Sequence, residues 1–332
     1  MKKQPEMQGR IKSISYAKWG YIFIIPFFIV YILFTLVPQF LTVYNSFFEN
    51  YRIGLTQVGP NYVGLENYKA LFTPQSDGTI LILKYTANTF ILWIIGAIPQ
   101  FVIAMLLAVF FTSGRLNIKG QGFFKTVIYM PNLIMAAAFS MLIYTLFSKV
   151  GPIQLFLEHQ GIIDKTFDFF AYRVSVRGMI AFMNFIMWFG NTTIVLMAGI
   201  MGIDQSLFES ATIDGANAWQ VFFKVTLPLL MPIFVYCFIT AMIGGIQMFD
   251  VPQVLTKGDG LPNETTRTLV MYLNRYLSGA SRNYGAAGAI SVIIFIMTGV
   301  LGFVVYKMLA AQYQEKRSAP KYHRRRQRGE NA

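Results

Sequence analysis

The sequence predicts an all-α, polytopic integral membrane protein with six transmembrane helices. Two observations carry that reading. Of the 332 residues, 55% are hydrophobic and only 13% charged, where a soluble domain carries roughly 25% charged residues. The apolar residues also gather in several uninterrupted runs, each of roughly 18 residues or more, long enough to cross a bilayer as a helix. Lipid offers the backbone no hydrogen-bond partners, so a spanning segment must satisfy its own. The runs are continuously apolar rather than alternating, which argues against a β-barrel.

Taken in order, residues 1–18 form a basic segment, with Lys2, Lys3, Arg10, Lys12 and Lys18 against Glu6. The apolar run after it, about 19–44, is too long for a cleaved signal and lacks a small-residue cleavage site. It reads as the first span, with Pro26 and Pro38 kinking it or marking its ends. Residues 45–84 are polar and turn-rich, and VGLENYKALF at 63–72 reads as a short amphipathic helix. Further spans are expected at about 85–111, 123–147, 178–201, 227–249 and 284–310. Polar loops are expected at 148–177 and 250–284. Residues 85–312 thus form the core domain, with a loop at 201–227 inside it. Residues 313–332 form a basic tail that includes Arg324, Arg325, Arg326 and Arg328.

Six spans put both ends of the chain on one side. That side carries five Lys and Arg in 1–18, three around 112–125, one in the 201–227 loop and eight from Lys307 onward, 17 against 11 opposite. The short second loop and the tails decide orientation, so both termini and the 201–227 loop are expected to be cytoplasmic. The net charge of +13 sits largely in the tails. Topology and contact with anionic lipid explain it better than nucleic-acid binding does.

Other chemistries are poorly supplied. Cys237 is the single cysteine, so intrachain disulfides and Cys-rich metal sites are excluded. The two histidines, His159 and His323, lie outside the spans and in no metal-ligand spacing. No GxSxG, Walker loop or GxGxxG is present. No catalytic residue, metal site or cofactor of the chain's own is expected.

The most informative stretch is ESATIDGANAWQVFFKVTLP, residues 209–228. Phe208, Ala211 and Thr212 share a helical face, and so do Trp219, Phe222 and Phe223. Asp214-Gly215 between them favours a turn, and Asn217 with Gln220 resembles a capping box. The reading is helix, turn, helix outside the bilayer, stopped by Leu227-Pro228. Trp219, Phe222 and Phe223 are expected to pack it against the chain's own helix ends.

This stretch resembles the coupling loop of bacterial ABC importer permeases. The family motif is Glu-Ala-Ala, three residues, Gly, nine residues, Ile, one residue, Leu-Pro. Here Glu209, Ser210, Ala211, Gly215, Val225, Leu227 and Pro228 fall at those spacings, with Ser210 and Val225 as departures. Within that resemblance Glu209 helps fix the loop in a groove of an ATPase subunit, and Asp214 is a turn residue. The stretches VGLENYKALF, VLTKGDGLPNETTRTLV (254–270) and YGAAGAISVIIF (284–295) resemble the carbohydrate class of type I importers, with two different permeases. The resemblance implies a heterodimer with a second permease, two ATPase subunits that bind the ATP and magnesium, an extracellular solute-binding protein and an oligosaccharide or related sugar. The setting it implies is the bacterial cytoplasmic membrane, with transport by alternating access.

Polar residues inside spans tend to face a cavity or the bundle interior. Asn184, Trp188 and Asn191 lie at i, i+4 and i+7 on one face. Two amides can exchange hydrogen bonds with sugar hydroxyls and an indole can stack on a pyranose; the same amides can equally glue helices together. Gly244 and Gly245 allow close packing or local unwinding, with Gln247 as the expected polar contact beside them. Trp93, Gly96 and Gln100 share a face that reads as packing, as do Gly285, Gly288, Gly299 and Gly302. The competing classes are a self-sufficient channel or secondary transporter and a membrane-embedded enzyme. The spans hold almost no charges, and neither inverted repeats nor an intramembrane His, Asp or Ser–His cluster supports these.

Overall fold

The computed structural model describes residues 17–113, 119–278 and 281–317, with side chains described from 18 to 308. The basic segment before residue 17 and the tail after 317 lie outside the described residues. Among those described, six helical segments are long and apolar enough to cross a membrane: Lys18–Asn45, Leu81–Thr112, Ala136–His159, Arg173–Met201, Ala218–Leu255 and Tyr284–Met308.

The first span is α1 (Ala17–Tyr31), a wide π-turn at Ile32–Leu36, and α2 (Val37–Asn45). Pro38 does not end it. Proline has no N–H and crowds the carbonyl four residues back. The helix absorbs this by widening one turn just ahead, so that the Val37 N–H reaches the Ile32 carbonyl.

The expected polar loop at 45–84 instead contains β-structure. β1 (Phe48–Ile53) and β2 (Thr56–Tyr62) form an antiparallel hairpin, followed by α3 (Glu66–Phe72). A third strand, β3 (Ser281–Asn283), pairs with β1 and gives the order β2-β1-β3. The all-α class holds, with this small three-stranded sheet added outside the candidate spans. Asn67 anchors this cap by donating to the Ser46 and Phe48 carbonyls at 2.9 and 3.0 Å.

The core starts with α4 (Leu81–Thr112). The expected third span at 123–147 is broken. It consists of α5 (Gln121–Tyr129), a 3-10 turn at Met130–Leu133 and α6 (Ala136–Phe147). The chain leaves the helix at Ile134 and Met135, both extended, and the Asn132 amide fixes the break by donating to the Met187 carbonyl at 3.0 Å. After a turn at 148–151, α7 (Pro152–His159) follows in the stretch expected to be loop.

α8 (Arg173–Met201) packs chiefly on α4. A Cβ on Gly96 would lie 3.1 Å from the Ala181 carbonyl, and one on Gly190 would overlap the backbone at Ile128. Gln100 on α4 donates to Thr192 on α8 at 2.9 Å. After α9 (Gln205–Ile213), α10 (Ala218–Val221) runs through a π-turn at Phe222–Thr226 into α11 (Leu227–Ile246). Leu227-Pro228 thus does not stop a helix. As at Pro38, the wide turn ends two residues before the proline, and the Leu227 N–H reaches the Phe222 carbonyl.

The loop expected at 250–284 carries α12 (Asp250–Leu255) and α13 (Leu269–Leu277) and is largely packed; Thr256, Thr266 and Thr268 are buried. α14 (Tyr284–Arg317) closes the bundle. Its Gly285 and Gly288 admit the backbone at Phe48, Thr42 and Ser46, whereas Gly299 and Gly302 face open space. The bundle is held by apolar packing, and Tyr85, Leu92, Ile180, Met183, Leu196, Leu230 and Ile290 are among its buried side chains. The hairpin, α3, α7, α12 and α13 gather at one end. The 201–227 loop lies at the other.

Candidate functional site

The 201–227 loop is built by local chemistry. Asp204 caps α9, accepting from the Ser206 N–H at 3.0 Å. That backbone hydrogen bond holds its carboxyl below the ordinary value of 3.8. α9 ends in a Schellman turn: the Ala216 N–H donates to the Ala211 carbonyl at 2.9 Å and the Gly215 N–H to the Thr212 carbonyl at 3.1 Å. Gly215 sits at φ +75, a region that glycine enters without steric cost. Asn217 and Gln220 then form a reciprocal capping box, both bonds 2.9 Å. The second short helix is not free-standing; it is the first turn of the fifth span. The loop is therefore rigid and continuous with a membrane helix.

Glu209, Ser210, Asp214 and Gly215 are exposed, while Ala211, Leu227 and Pro228 are half-buried. Glu209 has no ion-pair partner among the described residues. It lines a hollow of about 900 Å³ with Gln205, Phe208 and Thr212 of α9, Thr112 of α4 and Phe222. The expected packing of the aromatic residues is corrected. Trp219 and Phe223 stack on each other at 6.0 Å and stand 71% and 56% exposed; only Phe222 turns inward. Ile213, beside the turn, is 86% exposed. The tip of the loop thus presents exposed apolar side chains, a feature that marks interaction sites.

A second place lies within the bundle. α4, α8 and α11 enclose a cavity of about 310 Å³, lined among others by Trp93, Gln100, Asn184, Trp188, Asn191 and Tyr236. Asn184, Trp188 and Asn191 line it together, as one helical stripe should. Gly244 lines it too, with nothing near it. Gly245 does so differently: a Cβ there would overlap the Trp93 indole. Gln247 does not line it. It caps α11 and points outward, and Met248 takes its place, 3.5 Å from the Asn184 amide. Trp93, Gly96 and Gln100 serve both as packing and as wall. Sequence reasoning passed over Tyr236 and Thr240, whose fourfold spacing with Gly244 puts a polar stripe on the mostly apolar α11. Such a wall, apolar with a few convergent polar groups, suits a polyhydroxylated solute.

The third feature, invisible in the sequence, is a clasp above this cavity. Glu264 accepts from the Tyr85 hydroxyl at 2.6 Å, pairs with Arg267 and lies 3.5 Å from Lys84. Asn88 donates to the Glu264 carbonyl at 2.9 Å, and Thr268 donates to the Met248 carbonyl at 2.8 Å. The 256–268 loop is thereby tied to α4 and to the cavity wall. Burial pushes the Glu264 carboxyl up, but the Tyr85 hydroxyl, Arg267 and Lys84 outweigh it and hold it below 4.5. A depressed carboxyl stabilises above its unfolded value, and the contribution is lost as pH falls through the folded value. Protection of 256–268, the ratio of intrinsic to observed amide exchange, should be high at neutral pH and be lost as pH falls below the ordinary carboxylate value of about 4.3. In Glu264→Gln it should be low and flat across that range; unchanged protection in the variant would show that the clasp rests elsewhere.

Six candidate spans, a solute-sized cavity between three of them and a helical loop continuous with the fifth describe a membrane-spanning transport permease. Residues 84–315 match the model of the binding-protein-dependent transport system inner membrane component, and the chain belongs to that family. It is 28% identical over 296 residues to a probable ABC transporter permease, YesP, of Bacillus subtilis, covering 87% of this chain and 89% of that one. It is 29% identical over 219 residues to the lactose transport system permease LacF of Rhizobium radiobacter, covering 66% and 73%. A bacterial ABC transporter involved in the import of the acidic polysaccharide alginate superposes with a TM-score of 0.69 at 21% identity, over 89% of this chain and 96% of that chain.

Proposed function

We propose that this chain is one of two different permease subunits of an ATP-driven importer for an oligosaccharide or related sugar. The observation that carries this is the rigid 201–227 handle, with Glu209 and the apolar tip exposed where a partner can grip them. A pair of cytoplasmic ATPases supplies ATP and magnesium; the chain itself holds no cofactor and does no catalysis. A binding protein delivers solute at the hairpin end, outside, and both termini face the cytoplasm of the bacterial cell. Relatives named for lactose transport and for multiple sugar-binding transport favour a sugar, and so do the amides and indoles of the cavity. Alternating access follows: ATPase closure moves the two handles, and stiff helices carry that motion to the cavity.

The test is purification of the tagged chain from native membranes under mild detergent. An ATPase and a second permease should come with it. Uptake of sugar by the reconstituted assembly should require ATP on the handle side and binding protein on the other. Solute movement through this chain alone would refute the coupled mechanism.

A further inference from the structure

Five cations gather around the clasp, beyond the cavity wall: Lys84, Arg267 and Arg275 about Glu264, Arg177 on Asn88 and Thr265, and Arg173 one turn before it. Glu264 is the one carboxylate within ion-pair distance of any of them among the described residues, shared by Lys84, Arg267 and Arg275. Asp259, the other acid of that loop, is exposed and unpaired among the described residues.

Arg177 stands out. It is partly buried, and its guanidinium donates only to neutral acceptors: the Asn88 side-chain carbonyl at 2.8 Å and the Thr265 carbonyl at 2.8 Å and 3.1 Å. A cation drawn from water without an anion is unfavourable, and exposed Arg173, one turn away on the same face, adds like-charge repulsion. Arg177 also lies seven residues before Asn184, on the stripe that continues through Trp188 and Asn191. At 1.5 Å per residue it sits about 10 Å outward of the cavity wall. Thr265, which it grips, belongs to the loop whose Thr268 is bonded to Met248 of that wall.

We infer that the solute carries carboxylates: an acidic, uronate-bearing oligosaccharide, met beside the clasp by Arg173 and Arg177 before its hydroxyls reach the amides below. This deepens the sugar-import reading and rests on it. A cationic funnel raises the local concentration of an anion, and a guanidinium binds a carboxylate with a two-pronged geometry that it cannot offer to a hydroxyl. The excess over Glu264 leaves this end of the bundle with net positive charge, although Arg177 and Arg267 also hold the loop.

Uptake is measured in cells lacking the chromosomal copy and complemented with wild type or Arg173→Gln/Arg177→Gln. The probe is a labelled pool of oligosaccharides from plant and algal polyuronates, native or after chemical reduction of its carboxyls. Glutamine at 177 can still donate to Asn88 and Thr265, and membrane levels of the protein are followed alongside. Wild type should take up the native pool and largely ignore the reduced one. The double variant should show a half-saturating concentration for the native pool raised roughly tenfold, the scale of one charge-assisted contact. Equal uptake of both pools by wild type, or an unaltered native-pool response in the variant, would overturn the acidic assignment while leaving sugar import standing. If neither pool enters and a neutral oligosaccharide pool does, the acidic assignment again falls alone. If no sugar pool enters, the sugar-import reading falls with it. An effect of the variant that disappears when the binding protein is bypassed would place the cations at a protein interface instead, and would equally overturn it.

Discussion

Gly215→Pro should bring solute uptake to background, a loss of at least about a hundredfold, while the protein still inserts in the membrane. The residue occupies φ +75, and proline is locked near −65°. Its N–H closes the end of α9 on the Thr212 carbonyl, and proline has no N–H to offer. Neither defect touches a span, so insertion, which depends on hydrophobicity of the spans, should be untouched. The turn, however, sets the angle between α9 and the helix that becomes the fifth span. A loop that no longer holds that angle cannot transmit a push. Gly215→Asn is the control, because asparagine tolerates the left-handed region better than other side chains; it should retain much of the uptake. Glu209→Lys should separate grip from shape, keeping the fold of the loop and the association of the two permeases but lowering ATP-dependent uptake by at least about tenfold, as loss of a charge-assisted contact would. ATP-driven uptake into vesicles, normalised to protein in the membrane, reads all three. If Gly215→Pro transports normally, the loop is not the handle.

The handle was legible in the sequence because its determinants are local. Capping by Asn217 and Gln220 and the glycine at the left-handed position all act within the six residues 215–220. The spans were legible for another reason: lipid enforces helices wherever apolar length suffices. Reading failed where a choice depends on distant partners. The run at 123–147 reads as one span despite Lys125, Pro131 and Asn132, and the bond from Asn132 to the Met187 carbonyl, 55 positions away, fixes where it breaks. Pro228 reads as a stop by the rules of water-soluble helices and Pro38 as a kink or an end, but at both the chain keeps its hydrogen bonds by widening a turn instead. The polar 256–268 loop gave no hint that its threonines are buried, because its partners, Tyr85 and Asn88, are 179 and 176 positions away. Of the cavity, the α8 stripe was visible through spacing. The role of Trp93 was not, since nothing in its own segment reveals that Gly245 makes room for it.

That pairing supports the second large effect: Gly245→Ala should reduce uptake, and Trp93→Phe should restore it. The added Cβ would overlap the Trp93 indole. On another side the indole meets Phe238 edge-on, with ring centres 5.6 Å apart, so the ring cannot simply retreat there. The open direction is the cavity of about 310 Å³ that both residues line. An indole swung into it displaces the solute. Overpacking of this kind costs about 1–3 kcal/mol, or roughly five- to 150-fold in an equilibrium. Phenylalanine keeps an aromatic face, vacates the volume that the methyl needs, and removes a buried indole N–H that has no hydrogen-bond partner. Trp93→Phe alone should therefore be well tolerated, and the double variant should approach wild type, with a coupling of about 0.5–3 kcal/mol between the two sites. Thermal unfolding in detergent and uptake in cells should both show the rescue. A double variant no better than Gly245→Ala would mean that the glycine is needed for the local path of the backbone and not as a seat for the indole.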